Sequence, residues 1–285
     1  MLVMNKMSVD LRKYLQQNHN QLTWKYRIII IYEIIFAFFF IHKEKAIHRD
    51  LHSGNILYLQ FDNSWCISDL GFCGPADKPS ESIYGNLPYI APEVIVGGEY
   101  TFASDIYSIA ILMWEISSGQ PPFINYEHES DIVMNIINGI RPKIVPGTPL
   151  EYKNVMKECW DANPLKRPDA YTLCIKMEKI NLYYQNMSDE LFKSEMDNLE
   201  KNKVEENYTS SRLFTSKIHN FGNLHEPRNA TEEEQEVNDF NKSNEQNSSK
   251  SSKVITIFRD SNKKLSKLFK KLQIKSNNDE KEKTQ

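Results

Sequence analysis

No glycine precedes Gly54, and the chain of 285 residues carries only 10. A G-x-G-x-x-G turn cradling phosphate on backbone N–H groups is therefore excluded ahead of Gly54. Cysteine is as sparse. Cys66, Cys73, Cys159 and Cys174 form no C-x-x-C pair and no framework. A disulfide scaffold is excluded, and the thiols are expected to be reduced and mostly buried in a cytoplasmic protein. Neither sign of charge dominates: 35 Lys and Arg stand against 38 Asp and Glu, a formal charge of −3. No global pull toward nucleic acid follows, and none is expected as a partner. Long apolar runs are missing too. Residues 28–41 are interrupted by Glu33 and span 14 positions, short of the roughly 20 that cross a bilayer. A helix buried on most sides is the expectation there. The N-terminus lacks the basic, apolar, small order of a secretory signal.

What is present is a set of motifs in order. The run Ile47-His48-Arg49-Asp50-Leu51-His52-Ser53-Gly54-Asn55-Ile56-Leu57 sets an Asp and an Asn five residues apart behind His-Arg. Trp65-Cys66-Ile67-Ser68 reads as a short strand leading into Asp69-Leu70-Gly71. Then come Gly85-Asn86-Leu87-Pro88-Tyr89-Ile90-Ala91-Pro92-Glu93, Asp105-Ile106-Tyr107-Ser108-Ile109-Ala110 and Cys159-Trp160-Asp161-Ala162-Asn163-Pro164-Leu165-Lys166-Arg167-Pro168. Any one of these is weak: His-Arg-Asp alone is usually a surface charge cluster, and a lone Trp160 is usually core. Their joint order over residues 1–183 resembles the protein kinase family, most closely the tyrosine-kinase-like branch of serine/threonine kinases.

The resemblance implies the chemistry of each position. Asp50 would accept the proton of a protein hydroxyl, while Asn55 and Asp69 would hold Mg2+ against the phosphates of ATP. Arg49 and His52 flank Asp50 on the same loop. His52 stands where serine/threonine kinases usually carry Lys; when protonated it would contact the γ-phosphate, but near pH 7 much of it would be neutral. Leu2 to Met7 resembles the last strand and hinge of a kinase small lobe, so Met4 and Met7 would border the adenine and Leu57 would floor it. Glu93 and Arg167 would form an ion pair. Ser80, Ser82 and Tyr84 lie in a stretch of loop composition and are open to phosphorylation, although most loop hydroxyls are never modified.

Two departures bear on function. The 47 residues before His48 are too few for a small lobe with its strand Lys and helix Glu. Asn86 replaces the Thr that serine/threonine kinases usually place after the glycine of that segment. The expectation is a protein kinase, with Ser or Thr favoured over Tyr as the acceptor, truncated and inactive by itself. The alternative is a non-catalytic kinase-like scaffold or binding module.

With the helices given by periodicity and the tail by composition, the resemblance implies a mainly α, kinase-like large lobe with a few short strands, the small N-terminal lobe missing, and a disordered C-terminal tail. Helices are expected at 10–17, across 28–41, and at 106–118, 130–138, 152–160 and 170–180. Domain boundaries follow as 1–183 for the kinase-like part and 184–285 for the tail. Residues 186–253 are rich in Asn, Ser, Glu and Lys, too poor in apolar groups to offset their ordering entropy. Residues 262–275 differ. Leu265, Leu268, Phe269 and Leu272 make an apolar stripe with Lys residues around it. That basic amphipathic helix would suit an anionic membrane, a helix-binding partner or the lobe itself.

Overall fold

The computed structural model describes residues 8–75, 83–188, 190–191 and 215–245, with side chains of the last stretch through 238. Met4, Met7, Ser80, Ser82 and the basic stretch 262–275 lie outside the described residues.

Helices dominate, as the periodicity implied. α1 (Leu11–Asn18) starts where Asp10 accepts a hydrogen bond from the Lys13 backbone at 2.9 Å, and it buries Leu11 and Leu15. α2 (Trp24–Lys43) contains the apolar run and buries Ile28, Ile31, Ile34, Ile35 and Phe38. Its lone acid, Glu33, accepts a hydrogen bond from the Trp65 backbone at 3.2 Å, and burial raises its pKa. Among the described residues no helix is long and apolar enough to cross a membrane.

After α3 (Pro92–Ile95), the longer α4 (Phe102–Ser118) is the axis of the lobe. Thr101 and Ser104 cap it reciprocally, Gly119 closes it at φ +70, and every residue from Ser104 to Ser117 is buried. α5 (Glu129–Ile137), α6 (Leu150–Cys159) and α7 (Ala170–Asn186) follow it. α2 packs mainly on α7 and α4 mainly on α6. Full burial of one Ile or Leu is worth roughly 1.5–3 kcal/mol, so these faces supply most of the driving force.

The strands are short. β1 (Val9–Asp10), β3 (Ile56–Leu59) and β4 (Ser64–Ile67) form an antiparallel sheet in the order β1-β3-β4. β2 (Ala46–Ile47) pairs with β5 (Gly74–Pro75). β6 (Ile83–Gly85) pairs with β7 (Lys217–His219), and β7 belongs to the tail.

That last pairing corrects part of the expected disorder. Within residues 186–253, the stretch 215–245 carries β7 and α8 (Glu232–Glu245) and lies on the lobe. Arg228 donates its backbone N–H to Ile137 O at 3.0 Å. Asn229 Oδ1 accepts from the Ala162 backbone at 2.8 Å. The Gln235 amide clamps Arg141, accepting from its N–H at 3.0 Å and donating to its carbonyl at 2.8 Å. Phe221 and Leu224 pack against the lobe core. The segment has few apolar residues from which to build a core of its own. The segment instead borrows one, and its polar side chains bond to backbone groups of the lobe.

Candidate active site

The loop after β2 is organised from below by one buried acid. Asp105, 1% exposed at the start of α4, accepts from His48 N at 2.7 Å and His42 Nε2 at 3.0 Å through one oxygen. Its other oxygen accepts from Arg49 N at 3.0 Å. These bonds hold Arg49 at φ +71, a left-handed conformation that costs a non-glycine residue on the order of 1–3 kcal/mol. The Arg49 guanidinium reaches Pro75 O at 3.3 Å and fills the space beside Gly74, where a Cβ would fall 2.7 Å from its Nη1. His48 Nε2 lies 3.0 Å from Ser68 O, so that nitrogen carries the proton.

Asp50 follows, buried to 3% exposure. Its Oδ1 accepts from the Asn86 backbone at 3.2 Å and from the Ser216 hydroxyl at 2.9 Å. Its Oδ2 is buried without a hydrogen-bond partner among the described residues. Burial raises the pKa of this carboxyl, while the bonds from Ser216 and Asn86 oppose the rise. Gly85, at φ +150, stands against the same group: a Cβ there would come within 3.4 Å of Oδ1.

Asn55 and Asp69 are brought together by the β3–β4 hairpin. Ile56 faces Ile67 in its register, so the residue before β3 lies beside the residues after β4. Ser68 donates both its N–H, at 2.8 Å, and its hydroxyl, at 2.9 Å, to the Asn55 carbonyl. Asn55 Nδ2 donates to Asp50 O at 2.9 Å, which leaves Oδ1 as the outward donor atom. Asp69 is exposed, at φ +57. Among the described residues no cluster of three or more His, Cys, Asp or Glu side chains could hold a metal ion. An amide oxygen and a carboxylate are the donor types Mg2+ takes, one or two from protein with phosphate and water completing its shell. Leu57, half-buried on β3, faces Cys66 across the hairpin.

His52 is enclosed beside Asp50. Burial first, then the Arg12 charge, pushes its imidazole down to about 3, so it is neutral near pH 7 and offers no charge to a phosphate. Its Nδ1 accepts from Gly54 N at 3.0 Å, which puts the proton on Nε2, 3.0 Å from the Ser216 oxygen.

The segment beyond Gly85 is anchored to the helical core. Glu93 and Arg167 form the expected pair, bidentate at 2.6 and 2.7 Å, and Arg167 also donates to Ala103 O and Asp161 O at 2.8 Å each. The Arg167 guanidinium sits over the Tyr107 ring, 5.3 Å from its centroid. Tyr89 and Ser53 both donate to Glu115, whose pKa burial raises.

Three participants went unrecognised in the sequence. Glu115 did carry a signal, an acid inside a nearly all-apolar helix, which demands buried partners. Asp105 lay in a recognised motif, but its three donors come from elsewhere in the chain. Ser216 carried no signal, being one hydroxyl in a polar stretch.

Residues 1–177 match the family model described as protein tyrosine and serine/threonine kinase. A dual specificity protein kinase, zakA of Dictyostelium discoideum, is 30% identical over 196 residues, covering 63% of this chain and 25% of that protein. The human dual serine/threonine and tyrosine protein kinase is 34% identical over 172 residues, 59% of this chain and 18% of its own length. A viral relative, the putative serine/threonine-protein kinase/receptor R818 of Acanthamoeba polyphaga mimivirus, is 34% identical over 148 residues, 51% of this chain and 9% of its own. The chain thus spans a quarter or less of the length of these curated relatives.

Proposed function

The chain belongs to the protein tyrosine and serine/threonine kinase family, and from that premise we propose that it contributes the catalytic-loop half of a kinase site that phosphorylates protein hydroxyls. Mg·ATP supplies the phosphoryl group. Asn55 Oδ1 and Asp69 would hold the magnesium, and Leu57 would contact the adenine. Asp50 takes the proton of the acceptor hydroxyl. Asn86 N–H and the Asn55 side chain fix the orientation of Asp50, one on its carboxylate and one on its carbonyl. Serine or threonine is the proposed acceptor, and the cytoplasm the proposed location. No glycine-rich loop precedes Asp50 in these 285 residues, so by themselves they are proposed to bind Mg·ATP weakly and transfer slowly.

The observation that carries this reading is the buried Asp50 carboxylate bonded to a seryl hydroxyl at 2.9 Å, the contact a general base makes with its substrate. Phosphate transfer from millimolar Mg·ATP to a generic serine-containing acceptor protein is the test. Asp50→Asn keeps the shape and removes the base, and the rate is expected to fall on the order of 10²–10⁴-fold. An undiminished rate would refute the assignment. One observation favours a second reading, a kinase-like binding module: neutral His52 supplies no charge at a position where the family usually has Lys. A wild-type chain that transfers no phosphate to any acceptor would leave that second reading standing.

A further inference from the structure

The tail segment around Ser216 lies on the lobe as a substrate peptide would. β7 adds to β6 as an antiparallel strand, with Ile83 facing His219, Tyr84 facing Ile218 and Gly85 facing Lys217. This is strand addition to an exposed edge, in which main-chain bonds give affinity and side chains give register. Two side chains fix the register. His219 Nε2 reaches Gly85 O at 2.9 Å and is buried, while Lys217 Nζ pairs with Glu129 of α5 at 2.7 Å. The register sets Ser216, one residue ahead of Lys217, over the catalytic loop.

The hydroxyl there is oriented as well as placed. His52 Nδ1 is occupied by Gly54 N–H, so Nε2–H donates to Ser216 Oγ at 3.0 Å. That leaves the seryl proton to point at Asp50 Oδ1, 2.9 Å away. Ser216 therefore has its proton on the expected base and a lone pair free for attack. A merely covering segment needs neither feature.

We propose that Ser216 is a phosphoacceptor in cis, the first substrate of the site that its own chain carries. The proposal rests on the kinase reading above. In the step, the Ser216 O–H bond breaks and its proton passes to Asp50. Ser216 Oγ forms a bond to the γ-phosphorus of Mg·ATP as the bond to the bridging oxygen breaks, and ADP departs with that electron pair. The acceptor is tethered, so its local concentration is on the order of millimolar, and it needs a single turnover. Phosphoserine carries about −1.5 to −2 charge at pH 7, and next to the Asp50 carboxylate it is repelled. Phosphorylation thus releases β7 and opens Asp50 to an external hydroxyl. The same register describes the external peptide that the groove would take: a serine followed by a basic residue that meets Glu129.

The full chain is incubated with millimolar Mg·ATP beside a generic serine-containing acceptor protein, and sites are mapped by mass spectrometry. The expected result is phosphate on Ser216 at a rate independent of protein concentration, lost in Asp50→Asn and in Ser216→Ala. Phosphate on the acceptor protein or elsewhere in the chain, with none on Ser216, overturns this proposal and spares the kinase reading. No phosphate on any acceptor overturns both. A measurement free of catalysis accompanies it. Amide hydrogen exchange at residues 83–85 and 217–219 is expected to be slow in the wild type and at least tenfold faster in Ser216→Glu. Fast exchange at 217–219 in the wild type would show β7 unseated and would also overturn the proposal.

Discussion

Two regions meet at the Asp50 carboxylate, and they are held there by different means. The catalytic loop is fixed from inside the lobe. Asp105 and Glu115, both buried, accept from backbone and side-chain donors around it, and buried Arg167 anchors the segment that follows through Glu93. The tail is fixed from outside, by main-chain pairing and by Asn229 and Gln235 on the lobe surface. A buried charge that loses its partner pays a full desolvation penalty, whereas an exposed group that loses its partner recovers water. Loop and tail should therefore differ in how they fail. Breaking the loop's support costs the fold, and breaking the tail's support releases only the tail.

The largest effect is expected from Arg167→Ala. It strands Glu93 and the carbonyls of Ala103 and Asp161, at a cost of roughly 3–5 kcal/mol. At about 2–4 °C per kcal/mol for a domain of this size, the melting temperature should drop by about 6–20 °C in a thermal unfolding scan. A drop no larger than a tail variant produces would erase the contrast between the two regions.

Gly139→Ala sharpens the contrast from the other side. Gly139 sits at φ +84 under the tail, and a Cβ there would lie 2.2 Å from Ala230 N and 2.4 Å from Arg228 O. Backbone cannot yield as a flexible side chain can, so the tail must lift off. Gln235→Ala removes two bonds to Arg141, at roughly 1 kcal/mol each. Both variants should speed hydrogen exchange over residues 217–235 while the amides of α4 stay protected. Loss of protection in α4 would mean that tail and lobe unfold as one unit.

The smallest effect lies at the junction. His52 is held down to about 3 by burial and then by Arg12, against an ordinary value near 6.5. The unfolded chain thus binds a proton at His52 that the folded chain refuses. Its contribution to stability is whole above about pH 6.5 and declines as pH falls from there toward about 3. His19, pushed down to about 4 by burial and then by Arg27, acts in the same direction. The raised carboxyls of Glu33, Asp50 and Glu115 oppose it, since each takes up protons more readily when folded. Denaturant unfolding of the wild type against His52→Asn at pH 7 and pH 5 isolates the imidazole: the stability difference should shift in favour of the variant at pH 5. An unchanged difference would mean that His52 is protonated in the folded chain.

Much of the lobe was legible because its signals are local. Ile28 to Ile41 spelled a buried helix, and Leu11 with Leu15 an amphipathic one. The motif around Asp50 carried its own spacing. Glu93 and Arg167 are 74 positions apart, and only the family resemblance paired them. The hub at Asp105 could not be read from the chain, because an acid does not announce which distant N–H groups it will accept. The tail was misread for a related reason. Its few apolar residues spoke only to whether it could build a core of its own, and said nothing about a surface already prepared to receive it.

The sequence by itself determined the family and the order of the helices, and it singled out Asp50, Asn55 and Asp69 as candidates. These depend on spacing along one segment, where the backbone period sets which side chains share a face. Only the tertiary structure decided that Asp105 supports the loop, that His52 stays neutral and that Ser216 reaches Asp50. Each depends on what the folded lobe buries or brings near: desolvation fixes the charge of His52, and the register of β7 on β6 carries a hydroxyl across 166 positions to the Asp50 carboxylate.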